Sequence, residues 1–592
     1  MSSLFHTVKE HIAQRISVVA DFSVTANDIE RPPNADMGDL AFGCFRAAKE
    51  SGKNPAEIAK SIAEAFGTST RYVESATAAG PFVNFTIKIG EFAHQLVLNV
   101  EQAGESYGSS TQPKHTPTVF EYAQPNTHKE FHVGHIRNLL LGASLVKILR
   151  HDGWNVIPVS YHGDVGAHVA KCLWRLVSAL RKKSKRSIAE LTTEDAQAIL
   201  ERVASTDRNG SYLGRLYTEA STALEEHPEI KDEISAVQIA LEKHDPAWNL
   251  IWEETRRWSL EEMKLYFQEL GVNLDRQYLE SEVVDDGQRM VDELLAKNIA
   301  KESQGAIIVD LEDQKLGVFL VRKSDGTSLY STKDLALAFL KQKEYPTMSR
   351  SVMLVDLRQS LYFNQLFATL KMMGYTVPTE HVGYEFVTLK EGAMSSRKGN
   401  IVTYKSFRDE MYEFAWKQTK ERHADWNEGQ VSYTAWALAK AGMSFGMLKQ
   451  DSDRIMTFDL QEALSFEGDT GPYVQYALVR LHSILKKAGS PVSHGEEEPS
   501  CHSLKEPQEK ALAIAIAEFG DVVARSAAEM RPSIIANWCA DTARLANAFY
   551  RDLPVLDADP ATRNARLRFI ASAYRSLSIG VGLLGIPVPE EM

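Results

Sequence analysis

The chain has 592 residues, 44% of them hydrophobic and 24% charged, with a net charge of −13 at pH 7. This balance excludes a mainly disordered chain, a collagen-like repeat and a disulfide scaffold, and the length predicts several domains. With 66 basic against 79 acidic side chains, binding nucleic acid through bulk charge is excluded too, although local basic strips are not.

The four cysteines, Cys44, Cys172, Cys501 and Cys539, stand far apart with no C-x-x-C pair. Neither a zinc knuckle nor a disulfide framework is expected, and a reducing compartment is. No apolar run approaches the roughly 20 residues that cross a bilayer.

In chain order, Leu4, Val8, Ile12 and Ile16 recur at helical spacing and predict a first helix of a folded domain rather than a transit peptide. Residues 56–66 are amphipathic and 81–89 (PFVNFTIKI) alternate like a strand, giving a small α/β unit. The polar stretch 104–117 reads as a linker. Strand and helix then alternate. Strands are expected at 118–122 and 155–161, a helix at about 134–151, and further strand-like runs at 306–311, 317–322, 352–355 and 383–389. That pattern implies an α/β fold with a mainly parallel, doubly wound sheet. Residues 176–262 are charged and helical, which suggests an insertion. Its run RKKSKR (181–186) is a solvated face or a polyanion contact. From about Phe407 strand signals fade, and helices are expected at 433–448, 478–487, 507–530 and 534–551. The expected domains are 1–105, 106–455 and 456–592, the last all-α.

The densest chemistry lies in 121–138, EYAQPNTHKEFHVGHIRN. A strand ends, a Pro-Asn turn follows, and His132, Gly134 and His135 open a helix. Free N–H groups and the helix dipole favour anions there, and glycine admits a ligand close to the backbone. The imidazoles can donate to a phosphoryl transition state without covalent chemistry. Two histidines capping a surface helix are the plainer alternative. Residues 388–403, TLKEGAMSSRKGNIVT, form a second candidate. This small-residue loop carries Lys390, Ser395, Ser396, Arg397 and Lys398, groups suited to a polyphosphate; an exposed basic turn is the alternative.

Both segments, in this order on a doubly wound sheet, resemble the class I aminoacyl-tRNA synthetases. His132 to His135 is similar to the HIGH signature, and Met394 to Lys398 is similar to the KMSKS loop. The blocks EYAQPN-(x5)-HVGHIRN, YHGDVGAHVAK, DGTSLYSTKDLALA, MSSRKGN, FEGDTGPYVQYALVR and FYRDLPVL resemble the arginyl-tRNA synthetases in particular, and GPFVNFTI adds similarity to their N-terminal domain. The resemblance implies a Rossmann-like catalytic domain, an N-terminal tRNA-contacting domain and a helical anticodon-binding domain. It also implies arginylation of tRNA(Arg) through an adenylate. ATP with Mg2+ would be a substrate, with no tightly bound cofactor and no resident metal. The family's usual state is a monomer that requires tRNA before it activates arginine, and a cytoplasmic location is expected.

Residue by residue, the resemblance places Asp334, Tyr330 and Gln359 on the arginine side chain, and Glu121 and Asn126 on its α-amino end. Carboxylates suit a planar guanidinium, and Tyr330 and Asp334 are four apart on an expected helix. His132, Gly134, His135, Met394, Ser395 and Ser396 would hold ATP. The loop departs from the class pattern, with Ser396 where a catalytic lysine is usual. Lys129, just upstream of His132, matches the position that supplies this charge in many arginyl enzymes, assisted by Arg397 or Lys398. Tyr473, Tyr476 and Arg480 share one helical face and would meet unpaired bases. Tyr550 and Met592 are implied as further anticodon contacts, and Phe82 and Asn84 as contacts to the outer corner of the tRNA. A nucleotidyltransferase with an HxGH loop, or a non-catalytic tRNA-binding paralogue, would share parts of this pattern.

Overall fold

The structure is a computed structural model and describes residues 4–20, 22–67, 70–181, 187–324, 329–390, 402–489 and 500–592. At its centre, five strands run in the order Thr379–Tyr384, Arg350–Asp356, Lys114–Glu121, Trp154–His162, Arg276–Leu279. Every neighbouring pair is parallel. Val119, Phe120, Val352 and Leu354 are fully buried, because helices cover both faces of a parallel sheet and its strands become continuous apolar runs. The chain leaves Lys114–Glu121 toward one edge, then returns to pair Arg350–Asp356 on its other side. A crevice opens at the carboxyl ends of such a switch point.

The doubly wound parallel sheet was legible, but not all its members. The expected strands at 306–311 and 317–322 lie in a separate antiparallel sheet with Ala300–Ser303. Their connections are too short for the crossover that parallel pairing needs. Gln304 and Gly305, with φ of 52° and 79°, form the two-residue turn between the first two. The run 383–389 divides between Thr379–Tyr384 and a second strand, Val387–Leu389, which pairs in parallel with Met456–Phe458. The expected domain boundary at 455 falls just before that partner strand.

Five helices between Ala167 and Leu270 form the insertion and enclose their own core around Trp248 and Trp258. The N-terminal unit is a four-stranded antiparallel sheet with the helices Leu4–Ala20 and Pro55–Phe66, and it buries Val8, Ile12 and Ile16 as the spacing predicts. In the C-terminal unit the expected helix 507–530 is two, Pro507–Ala517 and Phe519–Glu529, and a further helix, Pro560–Leu583, closes the bundle. Gly471 packs where a Cβ would lie 2.3 Å from the Ala441 carbonyl oxygen, so only glycine lets these two helices approach.

The expected linker is not a free tether. Tyr107 is buried, donates its hydroxyl to the Ile516 carbonyl at 3.0 Å and stacks on Phe519. Gly108 next to it has φ 80°, and a Cβ there would strike the Phe519 ring at 2.4 Å. One apolar core thus runs through the N-terminal unit, one face of the central sheet and the C-terminal helices.

Candidate active site

The helix Val133–His151 starts at the carboxyl end of the central strand, with His132 as its N-cap. His132 Nδ1 accepts from the Gly134 N–H at 3.1 Å, and His135 Nδ1 accepts from the His132 N–H at 3.2 Å. The two rings stack at 3.8 Å. Both Nδ1 lone pairs are engaged, so each neutral ring carries its proton on Nε2 and presents it as a donor. Burial, aided by the Lys129 cation, lowers the His132 pKa; burial, His132 and Lys129 push His135 well below the usual histidine range. A Cβ on Gly134 would lie 3.0 Å from the His132 ring, so glycine also protects the stacked pair.

The loop before this helix is strained and held from outside. Ala123 and His128 adopt left-handed backbone, φ 60° and 59°, a conformation costing roughly 1–2 kcal/mol for a residue with a side chain. The Ala123 N–H donates to Asn138 Oδ1 at 2.7 Å. The His128 N–H donates to Ser259 Oγ at 3.1 Å, and its ring meets Thr255 Oγ1 at 2.9 Å. The helix Gly210–Glu226 presses on the same loop, since a Cβ on Gly214 would lie 2.5 Å from the Glu130 nitrogen. Lys129 lies 5.3 Å from the centroid of the Tyr217 ring. The insertion therefore braces the segment that carries Lys129.

Met394, Ser395, Ser396, Arg397 and Lys398 lie outside the described residues, but both flanks are described. Val133 N–H donates to the Val402 carbonyl at 3.1 Å, Tyr404 N–H to the Phe131 carbonyl at 2.8 Å, and His132 forms an isolated bridge with Thr403. On the other flank, Lys390, expected among the phosphate-facing cations, has its ammonium 2.5 Å from Asp459.

At the switch point a cavity of about 560 Å3 gathers all five residues expected to bind arginine, Glu121, Asn126, Tyr330, Asp334 and Gln359. Tyr330 stands at its mouth, 58% exposed, and Gln359 ends the turn Leu357–Gln359 that follows Arg350–Asp356. Glu121 is ion-paired with buried Lys341 and also accepts from Gln124 at 3.1 Å. Much of its charge is therefore already committed. Glu280 pairs with Lys333. Asp334 accepts a hydrogen bond from the Tyr362 hydroxyl and has no ion-paired cation among the described residues. Burial raises its pKa to about 7, with Glu121 and Glu280 adding repulsion, while the Tyr362 hydrogen bond and Lys333 oppose the rise.

Glu280, Tyr161 and Tyr362 also line this cavity without having been singled out from sequence. The buried Tyr161 hydroxyl has no hydrogen-bond partner among the described residues. Tyr161 falls in the YHGD block, a signal that could have found it. Glu280 and Tyr362 carry no comparable local signal.

The proposed RNA-facing residues behave unequally. Arg480 lies between the Tyr476 and Tyr550 rings, 4.6 and 4.9 Å from their centroids, and Tyr550 is 42% exposed. Tyr473 shares the less buried face of that helix but packs partly on the core, as does Met592. Phe82 is 41% exposed and meets Phe45 edge to face at 5.4 Å. Asn84 is only 6% exposed. It shares a sheet face with Phe82, yet the chain at Gly38 packs over it, with the Gly38 Cβ position 3.4 Å from the Asn84 Cβ. Asn84 thus offers much less surface than Phe82 beside it.

The family described as "tRNA synthetases class I (R), catalytic domain" matches residues 97–451, the span that holds this parallel sheet and the HxGH helix at its switch point, so this is the catalytic domain of a class I tRNA synthetase. The flanking regions match an "Arginyl tRNA synthetase N terminal domain" over 6–87 and a "DALR anticodon binding domain" over 474–592. The chain belongs to the arginyl-tRNA synthetase family. The arginine–tRNA ligase of Bdellovibrio bacteriovorus is 36% identical, covering 97% of this chain and 96% of that protein. That of Clostridioides difficile is 32% identical, covering 95% of each. The Thermus thermophilus arginyl-tRNA synthetase structure superposes with a TM-score of 0.77 at 26% identity over 99% of both chains. The Plasmodium falciparum enzyme shares the fold, with a TM-score of 0.76 at 19% identity over the full length of both.

Proposed function

We propose that the protein ligates L-arginine to tRNA(Arg) in two steps. The arginine carboxylate attacks the α-phosphorus of ATP, forming arginyl-adenylate and releasing pyrophosphate. A terminal ribose hydroxyl of the tRNA then attacks the acyl carbon, forming the ester and releasing AMP. The observation that carries this reading is Asp334, an acid without an ion-paired cation among the described residues, in a cavity whose other acids, Glu121, Glu280 and Asp356, already pair with Lys341, Lys333 and Arg358. A guanidinium supplies what Asp334 lacks, with Tyr330 and Gln359 beside it. Asn126 and Glu121 take the α-amino end, and Glu280 stands near enough to share that task.

The protein contributes position and charge rather than a covalent nucleophile. His132 and His135 donate from Nε2 to ATP phosphate oxygens, beside Gly134. Lys129 supplies the cation for the α-phosphate, assisted by Arg397 or Lys398, while Met394, Ser395 and Ser396 line the nucleotide. Magnesium enters with ATP, held mainly by phosphates and water. Residues 1–105 serve the tRNA corner through Phe82 and Asn84, 106–455 catalysis, and 456–592 the anticodon, with Tyr473, Tyr476, Arg480, Tyr550 and Met592 as its contacts. A cytoplasmic monomer that needs tRNA for activation completes the proposal.

The test is ATP–pyrophosphate exchange with each amino acid, with and without tRNA(Arg). Exchange driven by arginine only in the presence of tRNA supports the reading. Exchange with another amino acid, or none at all, overturns it. For Lys129, substitution by alanine is expected to slow tRNA-dependent exchange about 100-fold, and normal arginylation by that variant would remove its role.

A further inference from the structure

Arg137 lies one helical turn beyond Val133 on the HVGH helix and is fully buried. Its guanidinium makes no ion pair among the described residues and is satisfied by backbone carbonyls. Nη1 donates to Glu385 at 2.6 Å, Phe386 at 3.4 Å and Arg454 at 3.0 Å, and Nη2 to Asp451 at 3.2 Å. Nε has no partner among the described residues. Glu385 and Asp453 attract the cation only from a distance, and burial lowers its pKa. A buried cation is costly to retain where an apolar side chain would pack, so its carbonyl partners indicate what it organises.

Those carbonyls belong to the two segments that precede Val387–Leu389 and Met456–Phe458. The segments also bond each other: Glu385 N–H donates to the Ser452 carbonyl at 2.8 Å and Met456 N–H to the Phe386 carbonyl at 3.4 Å. The strand pair continues to Lys390, whose N–H reaches the Phe458 carbonyl at 3.0 Å and whose ammonium meets Asp459. From Lys390 the chain departs toward Met394–Lys398. It returns at Val402, which the Val133 N–H holds. One helix thus carries the stacked histidines and grips both flanks of the second signature segment.

We propose that Arg137 is a positioning residue for the nucleotide site: it fixes the strand pair Val387–Leu389 and Met456–Phe458 relative to His132 and His135. This rests on the reading of Met394–Lys398 as the nucleotide loop. Arginine recognition, built from other elements, should be insensitive to it. A displacement of about 1 Å at a positioning element is enough to cost roughly 100-fold in rate.

The experiment compares Arg137→Lys, Arg137→Met, Arg397→Ala and Lys398→Ala by tRNA-dependent exchange, varying ATP and arginine separately. Melting temperature and deuterium uptake at 385–390 are measured on each. Expected for both Arg137 variants is a fall of about tenfold or more in kcat/KM for ATP, with the arginine KM within about twofold of the parent and faster uptake at 385–390. Lysine should be the milder change. Equal losses toward both substrates, unchanged ATP kinetics, or loss of the fold in both variants would each overturn the proposal, the last by making Arg137 a general core residue. If Arg397→Ala and Lys398→Ala both leave ATP kinetics unchanged, the loop reading fails. If either impairs them while the Arg137 variants do not, only the positioning role fails.

Discussion

Asp334 ionises near pH 7 because burial disfavours its charge and two neighbouring acids repel it. In the proposed arginine site a guanidinium against it would reverse that balance, so arginine would bind the ionised form and binding below that pH would release a proton. The arginine KM should be nearly flat above about pH 8 and rise by up to about tenfold per unit below pH 7. Asp334→Asn should flatten the profile and raise the arginine KM about 100-fold, close to 3 kcal/mol for a guanidinium left unpaired, with ATP kinetics little changed. The stability sign follows the same shift. A carboxyl raised from 3.8 to about 7 destabilises the ligand-free fold progressively as pH rises between those values. Thermal stabilisation by added arginine should consequently be larger at pH 8 than at pH 6, and equal shifts at both would contradict this.

Individual elements were legible where a local period writes them. Leu4–Ala20, Pro55–Phe66 and Val133–His151 each show their buried stripe or cap in contiguous residues. The strand Arg276–Leu279 was not legible, because four residues carrying Arg276 and Gln277 show no apolar run, and its place is set by parallel pairing with Val159 to His162. The insertion likewise read as helical, but not that it leans on the catalytic loop. Gly214→Ala tests that contact. Its Cβ would meet Glu130 backbone rather than a yielding side chain, so an overpacking cost of about 1–3 kcal/mol should fall on the loop carrying Lys129. Exchange should slow substantially in protein that remains folded by circular dichroism. Parent-like rates would show that the loop does not depend on this helix.

Across the molecule, the three regions share a core and are tied by Tyr107 to Ile516 and by ion pairs such as Arg31–Glu518 and Lys510–Asp39. The net charge of −13 leaves RNA recognition to local groups, and of the residues proposed for it Tyr476, Arg480 and Tyr550 form the best-defined stack. Arg480→Ala or Tyr476→Ala should raise the tRNA KM about tenfold, in line with roughly 1–3 kcal/mol per stacked base. Saturating tRNA should restore near-parent exchange. The salt dependence of the tRNA KM should be shallow, because few phosphates are neutralised. A variant that lost exchange at saturating tRNA would assign the stack to folding rather than to RNA.

Properties written in contiguous residues could be read without coordinates: the HVGH helix start, the alternation that implies a doubly wound sheet, the helical C-terminal third, and family membership through ordered motifs. The charge pattern of the cavity could not. Glu121 meets Lys341 across 220 residues and Lys333 meets Glu280 across 53, and only after those pairings does Asp334 stand without a matching cation. Arg137 reads as one more basic residue on a helix until folding brings four distant carbonyls around it. Periodicity and capping are short-range energies that each segment expresses alone. Desolvation and charge compensation depend on which distant groups share a buried space, and that is set when the chain closes around its switch point.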